Sequence, residues 1–220
     1  MSAAARIGLF GGSFDPPHQA HLALARVALD ELALDLLHWL PAGRPWQKQH
    51  RLASGEDRAA MVAAAIRDEP RFVLDCRELE RSGPSYTVDS ARELRAEHPQ
   101  GELFLLIGQD QYEGLPTWHA WQELLLLVTL GVAARDGAAV RTPVALQGVP
   151  HLALPVNMPP MPVSSTAIRA HLSAGGRAQD LVPAMVPAEV ARYIDLHRLY
   201  RKAGHSFSTP CAPDGPPPRS

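Results

Sequence analysis

Residues 7–21, Ile-Gly-Leu-Phe-Gly-Gly-Ser-Phe-Asp-Pro-Pro-His-Gln-Ala-His, constrain the fold more than any other stretch of this 220-residue chain. An apolar run, Ile7–Phe10, ends in Gly11 and Gly12, and Leu22, Ala25, Leu29 and Leu32 then recur at helical spacing. The pattern is strand, tight loop, helix. Two glycines at the carboxyl end of a strand let the backbone come close to a ligand with no Cβ in the way. The following helix turns unpaired N–H groups and a partial positive charge to the same spot, which suits a phosphate. His18 and His21 lie three apart at that helix start, so both imidazoles can face one side. The loop has neither the G-x-G-x-x-G of dinucleotide-binding folds nor the Gly-Lys-Ser/Thr of a P-loop. Phosphate chemistry of another kind is expected.

Further apolar runs read as buried strands at Leu36–Leu40, Arg71–Leu74, Leu103–Ile107, Val128–Ala133 and His151–Leu154. Helical patterns lie at His18–Leu34, Glu56–Arg67, Val88–Glu97, Trp118–Leu125, Ser165–Leu172 and Pro187–Tyr200, the last opening on proline. Alternation of this kind predicts an α/β fold. The expected form is a Rossmann-like, doubly wound parallel sheet with helices on both faces and ligands at the carboxyl ends of its strands. One domain over residues 1–202 is expected, followed by a disordered tail at 203–220 that is rich in Pro, Ser and Gly.

A net charge of −2 gives no nucleic-acid or membrane surface, so phosphate affinity has to come from a local cluster. Cys76 and Cys211 are too few for a disulfide framework, which fits a reducing cytoplasm. Neither a signal stretch nor a membrane-spanning run is evident, so a soluble protein is expected. His98 and His151 show no metal-ligand spacing and read as structural or surface groups.

A second candidate phosphate element is Val163-Ser164-Ser165-Thr166-Ala167-Ile168-Arg169, at the start of a helix. Hydroxyl residues there cap the helix, or join an arginine fork and backbone N–H groups in a clamp on phosphate oxygens. Together the two elements resemble the nucleotidylyltransferases, whose signatures are G-G-[ST]-F-D-P-x-H-x-x-H and I-S-S-T-x-I-R. Ala20 stands where that family usually has Gly, and Val163 where it has Ile. The resemblance implies adenylyl or cytidylyl transfer without a covalent enzyme intermediate. His18, His21 and Arg169 would stabilise the phosphates, and Mg²⁺ would bridge the triphosphate oxygens. Gly11, Gly12, Ser13, Phe14, Ser164, Ser165 and Thr166 would bind ATP. Asp15 would touch the metal through water or hold the loop; no residue is assigned as a direct metal ligand.

Ser85-Tyr86-Thr87-Val88-Asp89, Gly108-Gln109-Asp110 and Leu115-Pro116-Thr117-Trp118-His119-Ala120-Trp121 narrow the resemblance to the bacterial nicotinate-nucleotide adenylyltransferases. Similarity then runs from Arg6 to Tyr200. It implies a step of NAD biosynthesis in which ATP and nicotinate mononucleotide give deamido-NAD and pyrophosphate. Trp118 would stack on the pyridine ring, with Tyr86, Thr87, His119 and Lys48 completing the mononucleotide site, and Trp121 reads as core. Gly108 and Asp110 fall at nucleotide-binding positions, Asp110 also being suited to cap the helix after it. Arg135 reaches the adenine side or is solvated. Lys48 follows Pro45-Trp46-Gln47 where the family commonly has P-P-H ahead of the lysine. The rival acceptors are nicotinamide mononucleotide and phosphopantetheine, the latter's enzymes being shorter and lacking P-T-W. A regulatory module that kept the fold without activity should have lost at least one of His18, His21 and Arg169. The resemblance leaves homo-oligomerisation open.

Overall fold

The computed structural model describes residues 4–43, 52–133 and 140–201. Its sheet has six parallel strands, β1 (Arg6–Gly12), β2 (Leu36–Pro41), β3 (Phe72–Leu74), β4 (Glu102–Gly108), β5 (Thr129–Ala133) and β6 (Ala153–Val156). Their spatial order is β3-β2-β1-β4-β5-β6. The chain runs outward from β1 to β3, then crosses back to place β4 on the other side of β1. That reversal opens a crevice at the carboxyl ends of β1 and β4, where sheets of this topology bind ligands.

The strands are near-continuous apolar runs because both faces of the sheet are covered. Along β4, Leu103, Leu105 and Ile107 pack against α4 (Thr87–Glu97) and α6 (Trp121–Leu127), while Phe104 and Leu106 pack towards α1 (Gln19–Glu31) and α2 (Gly55–Ile66). The period of two along a strand divides the two cores. Each fully buried Leu or Phe in them contributes roughly 1.5–3 kcal/mol relative to exposure. A third cluster joins Met61 of α2 to Ile168 and Leu172 of α7 (Ser165–Ser173) and Val190 and Ile194 of α8 (Ala188–His197). This cluster sets the carboxyl-terminal helices, and with them Arg169, beside α2.

Several boundaries differ from the sequence expectation. The helix expected over Trp118–Leu125 begins three residues later, at Trp121. Leu115–Thr117 tightens into a 3-10 turn around Pro116, and Ala120 takes a left-handed conformation with φ 48° that breaks the pattern. Strand β6 starts at Ala153 rather than His151, whose ring is bonded to the Tyr112 hydroxyl at 2.5 Å and to the Val149 carbonyl at 2.7 Å. Pro155 is tolerated in β6 because the strand lies at the sheet edge. Two short helices, α3 (Arg77–Glu80) and α5 (Gln109–Gly114), are too brief to imprint a periodicity. The last helix stops at His197 instead of Tyr200. Arg198 turns left-handed at φ 52°, and Leu199 and Tyr200 fold back onto the third cluster. The tail expected at 203–220 lies outside the described residues, as do Lys48 and Arg135.

Candidate active site

The crevice at the switch point is a cavity of about 1010 Å³, at the upper end of the ~300–1,000 Å³ usual for small-molecule sites. Gly11, Gly12, Ser13, His18, His21, Gly108, Asp110 and Ser164 line one part, and Tyr86, Thr87, Trp118 and His119 line another. A Cβ on Gly11 would meet nothing within 4 Å, so the backbone there stands open to whatever fills the space. At Gly12 a Cβ would come within 3.0 Å of the Phe14 ring. Phe14 itself has φ 46° and is buried against Phe10 and Trp39, with its ring 5.2 Å from that of His21. It supports the site from behind instead of lining it.

His18 precedes α1 and stacks on His21, ring centroids 3.7 Å apart. The His18 backbone N–H donates to Nδ1 of His21 at 3.2 Å. That bond keeps Nδ1 an acceptor, so the neutral ring of His21 carries its proton on Nε2 as a donor. His18 is only 7% exposed, and burial pushes its pKa down to about 4. It is therefore neutral at pH 7.

The hydroxyl cluster at α7 divides its work. Ser164 caps the helix by accepting from the Ala167 N–H at 3.2 Å; Ser165 donates to the Pro16 carbonyl at 2.9 Å; Thr166 accepts from Arg169 at 3.3 Å. Ser165, Thr166 and Arg169 are not among the cavity-lining residues. With the Ala167 N–H taken by Ser164, the first-turn N–H groups of α7 without an intrahelical partner are those of Ser165 and Thr166. Arg169 donates through Nη1 to the Asp15 carbonyl at 2.6 Å, which brings the second phosphate motif onto the loop of the first. Of the alternatives for Asp15, the structure favours holding the loop: it is wholly buried, and its Oδ1 accepts from the Ala53 N–H at 3.0 Å.

At the aromatic end, Tyr86 and His119 stack with centroids 4.2 Å apart. Tyr86 precedes α4 without capping it through its side chain, and both Tyr86 and Thr87 line the cavity. Trp118 is half-buried, packed on the α4–α6 core while still lining the cavity. Trp121, one turn further, also packs on that core. Among the described residues no group of three His, Cys, Asp or Glu side chains could hold a metal ion.

A cytidylyltransferase-like family model matches residues 9–171. A protein of Methylibium petroleiphilum described as "probable nicotinate-nucleotide adenylyltransferase" is 59% identical over 89% of this chain and 92% of its own length. One of the same description from Albidiferax ferrireducens is 45% identical over 90% of this chain and 99% of its own. The chain belongs to the nicotinate-nucleotide adenylyltransferase family. Among solved structures, Plasmodium falciparum nicotinic acid mononucleotide adenylyltransferase complexed with NaAD has a similar fold, with a TM-score of 0.71 at 19% identity, covering 89% of this chain and 97% of that one. No helix among the described residues is long and apolar enough to cross a membrane.

Two residues of this family member escaped sequence reasoning. Glu78 is buried in the cavity wall, where burial raises its pKa against a bond from the Ser90 hydroxyl at 3.1 Å. Its backbone carbonyl sits where a Cβ on Gly43 would fall, only 2.0 Å away, so Gly43 is needed for that close approach. Arg58 is buried beside the phosphate loop. Its signal was present in the sequence: Arg58, Met61, Val62 and Ile66 share the inner face of α2, and a charge on such a face needs buried partners.

The depressed pKa of His18 has a consequence for stability. Unfolded, this histidine titrates near 6.5; folded, it titrates near 4. Between those values the unfolded state binds a proton that the folded state refuses, so stability falls as pH drops from about 6.5 to 4 and then levels off. The full effect is roughly 3 kcal/mol. In denaturant titrations at pH 7 and pH 4.5, wild type should lose on the order of 2 kcal/mol more than His18→Gln. Parallel losses would place the histidine in a wetter site than the one described.

Proposed function

We propose that this chain transfers the adenylyl group of ATP to nicotinate mononucleotide, giving deamido-NAD and pyrophosphate. The observation that carries the reading is one continuous cavity. On its wall the glycine loop and histidine pair offer a phosphate site, and the stacked Tyr86 and His119 offer an aromatic surface beside the start of α4. An oxygen of the mononucleotide phosphate attacks the α-phosphorus of ATP. A new P–O bond forms, and the bond from the α-phosphorus to the bridging oxygen of pyrophosphate breaks.

The reactants bring their own nucleophile and leaving group, so no side chain has to become covalently bound. The protein's contribution is alignment and charge stabilisation. His21 donates through Nε2–H to the transferring or leaving phosphate. His18, neutral at pH 7, gains a proton more readily once phosphate charge lies beside it. Arg169 acts from the other motif through its bond to the Asp15 carbonyl, and Ser164 at the start of α7 lines the cavity. Mg²⁺ bound to the triphosphate would offset part of its charge, and no side chain of this chain is assigned as its ligand. We place the reaction in the cytoplasm, because two cysteines are too few for a disulfide framework.

Mass analysis of a mixture of protein, MgATP and nicotinate mononucleotide tests the reading. Deamido-NAD and pyrophosphate in equal amounts are expected. Hydrolysis of ATP alone, or product only with phosphopantetheine, would overturn it. Trp118→Ala separates the two halves of the site: stacking on a planar ring contributes roughly 1 kcal/mol beyond burial. Its loss should raise KM for the mononucleotide about 5- to 10-fold and leave KM for ATP within twofold. A rise confined to ATP would reverse the assignment of the two ends.

A further inference from the structure

Beneath the phosphate loop lies a buried polar cluster that the transfer step does not itself use. Asp15 Oδ1 accepts from the Tyr200 hydroxyl at 2.8 Å, across 185 positions of sequence, as well as from the Ala53 N–H at 3.0 Å. Arg58, 2% exposed, spreads its guanidinium over three carbonyls: Nε donates to Ala53 at 3.2 Å, Nη1 to Ser13 at 3.0 Å and Nη2 to Gly43 at 3.4 Å. Arg169 closes the cluster, with Nη1 2.6 Å from the Asp15 carbonyl and 3.7 Å from Oδ2. The loop carrying Ser13 and His18 is thus held by residues from α2, α7 and the carboxyl-terminal turn.

Burying a guanidinium and a carboxylate costs several kcal/mol, and apolar residues of the same volume often stabilise a core as well or better. What apolar packing cannot supply is direction. A planar fork bonded to three carbonyls fixes three backbone segments relative to each other in a way that one ammonium cannot. Tyr200 adds a bond of fixed sense: burial, then the neighbouring Asp15 charge, push its phenol well above the ordinary value, so it remains a donor.

We propose that Arg58 and Tyr200 are positioning residues for the nucleotide: through Ser13 and Asp15 they set the loop that carries Ser13 and His18 against the phosphates of ATP. The inference rests on the adenylyl-transfer reading, and it concerns the ATP half of the cavity only. Neither side chain needs to touch substrate.

Arg58→Lys and Tyr200→Phe test it on the full-length protein, by calorimetric ATP affinity, steady-state kinetics and melting temperature. Because small misplacements of reacting groups cost up to about 10²-fold, Arg58→Lys should lower kcat by roughly 10- to 100-fold. Tyr200→Phe, which removes one hydroxyl from the buried cluster, should lower it roughly 3- to 10-fold. Both should weaken ATP binding and leave KM for nicotinate mononucleotide within twofold. A purely structural role predicts a lower melting temperature with unchanged ATP affinity and unchanged kcat per folded molecule, and that result would overturn the proposal. If Arg58→Lys does not fold, Tyr200→Phe alone decides, wild-type ATP affinity and kcat then being the contrary result. A wild-type protein that binds ATP but ignores nicotinate mononucleotide would overturn the proposed reaction instead. Positioning would then be judged on ATP affinity, where equal dissociation constants in all three proteins overturn it.

Discussion

On the proposed mechanism, His21→Ala is expected to lower kcat by about 10²–10³ while the protein stays folded, because a donor to the transferring phosphate would act mainly in the transition state. In free-energy terms that is roughly 3–4 kcal/mol. The effect on the fold is much smaller. The side chain accepts one bond from the His18 N–H at 3.2 Å, and losing such a helix-start contact costs about 1 kcal/mol. In a domain of this size that shifts the melting temperature by about 2–4 °C. The helix is held by Leu22, Ala25, Ala28 and Leu29, all buried on its inner face. A drop in rate with little change in melting temperature therefore separates chemistry from stability. Near-wild-type kcat in the variant would remove His21 from the mechanism.

The parts of the site written in local sequence were the most legible. Gly11 and Gly12 after an apolar run, followed by two histidines at helical spacing, mark the loop between β1 and α1, and α1 begins at Gln19 directly after His18. The continuous apolar run Leu103–Ile107 gave a doubly covered central strand, as expected of β4. What the sequence concealed depends on long-range contacts. Ser165 looks like a phosphate ligand until its hydroxyl is found on the Pro16 carbonyl, 149 positions away. The inner-face spacing of Arg58 shows that it needs buried partners, but not that these are three carbonyls from separate segments. Asp15 could equally have served a metal, and only the tertiary fold brings Ala53 and Tyr200 to it. Local conformation hid the late start of α6, since nothing about Ala120 announces a left-handed backbone.

The choice of acceptor is the most exposed part of the account. The N–H groups at the start of α4, beside the stacked Tyr86 and His119, suit an anion on the pyridine ring. A carboxylate accepts charge-assisted bonds from such donors, stronger than those to a neutral amide oxygen. The amide would also turn its own NH₂ towards some of the N–H groups, leaving donors face to face in a partly dry site. Mismatched hydrogen-bonding patterns of this kind are rejected by roughly 10²-fold or more, according to how buried they are. The decisive measurement is kcat/KM for nicotinate and for nicotinamide mononucleotide at the same MgATP concentration. A ratio of about 10² or more in favour of nicotinate is expected; equal values, or a preference for nicotinamide, would contradict the assignment.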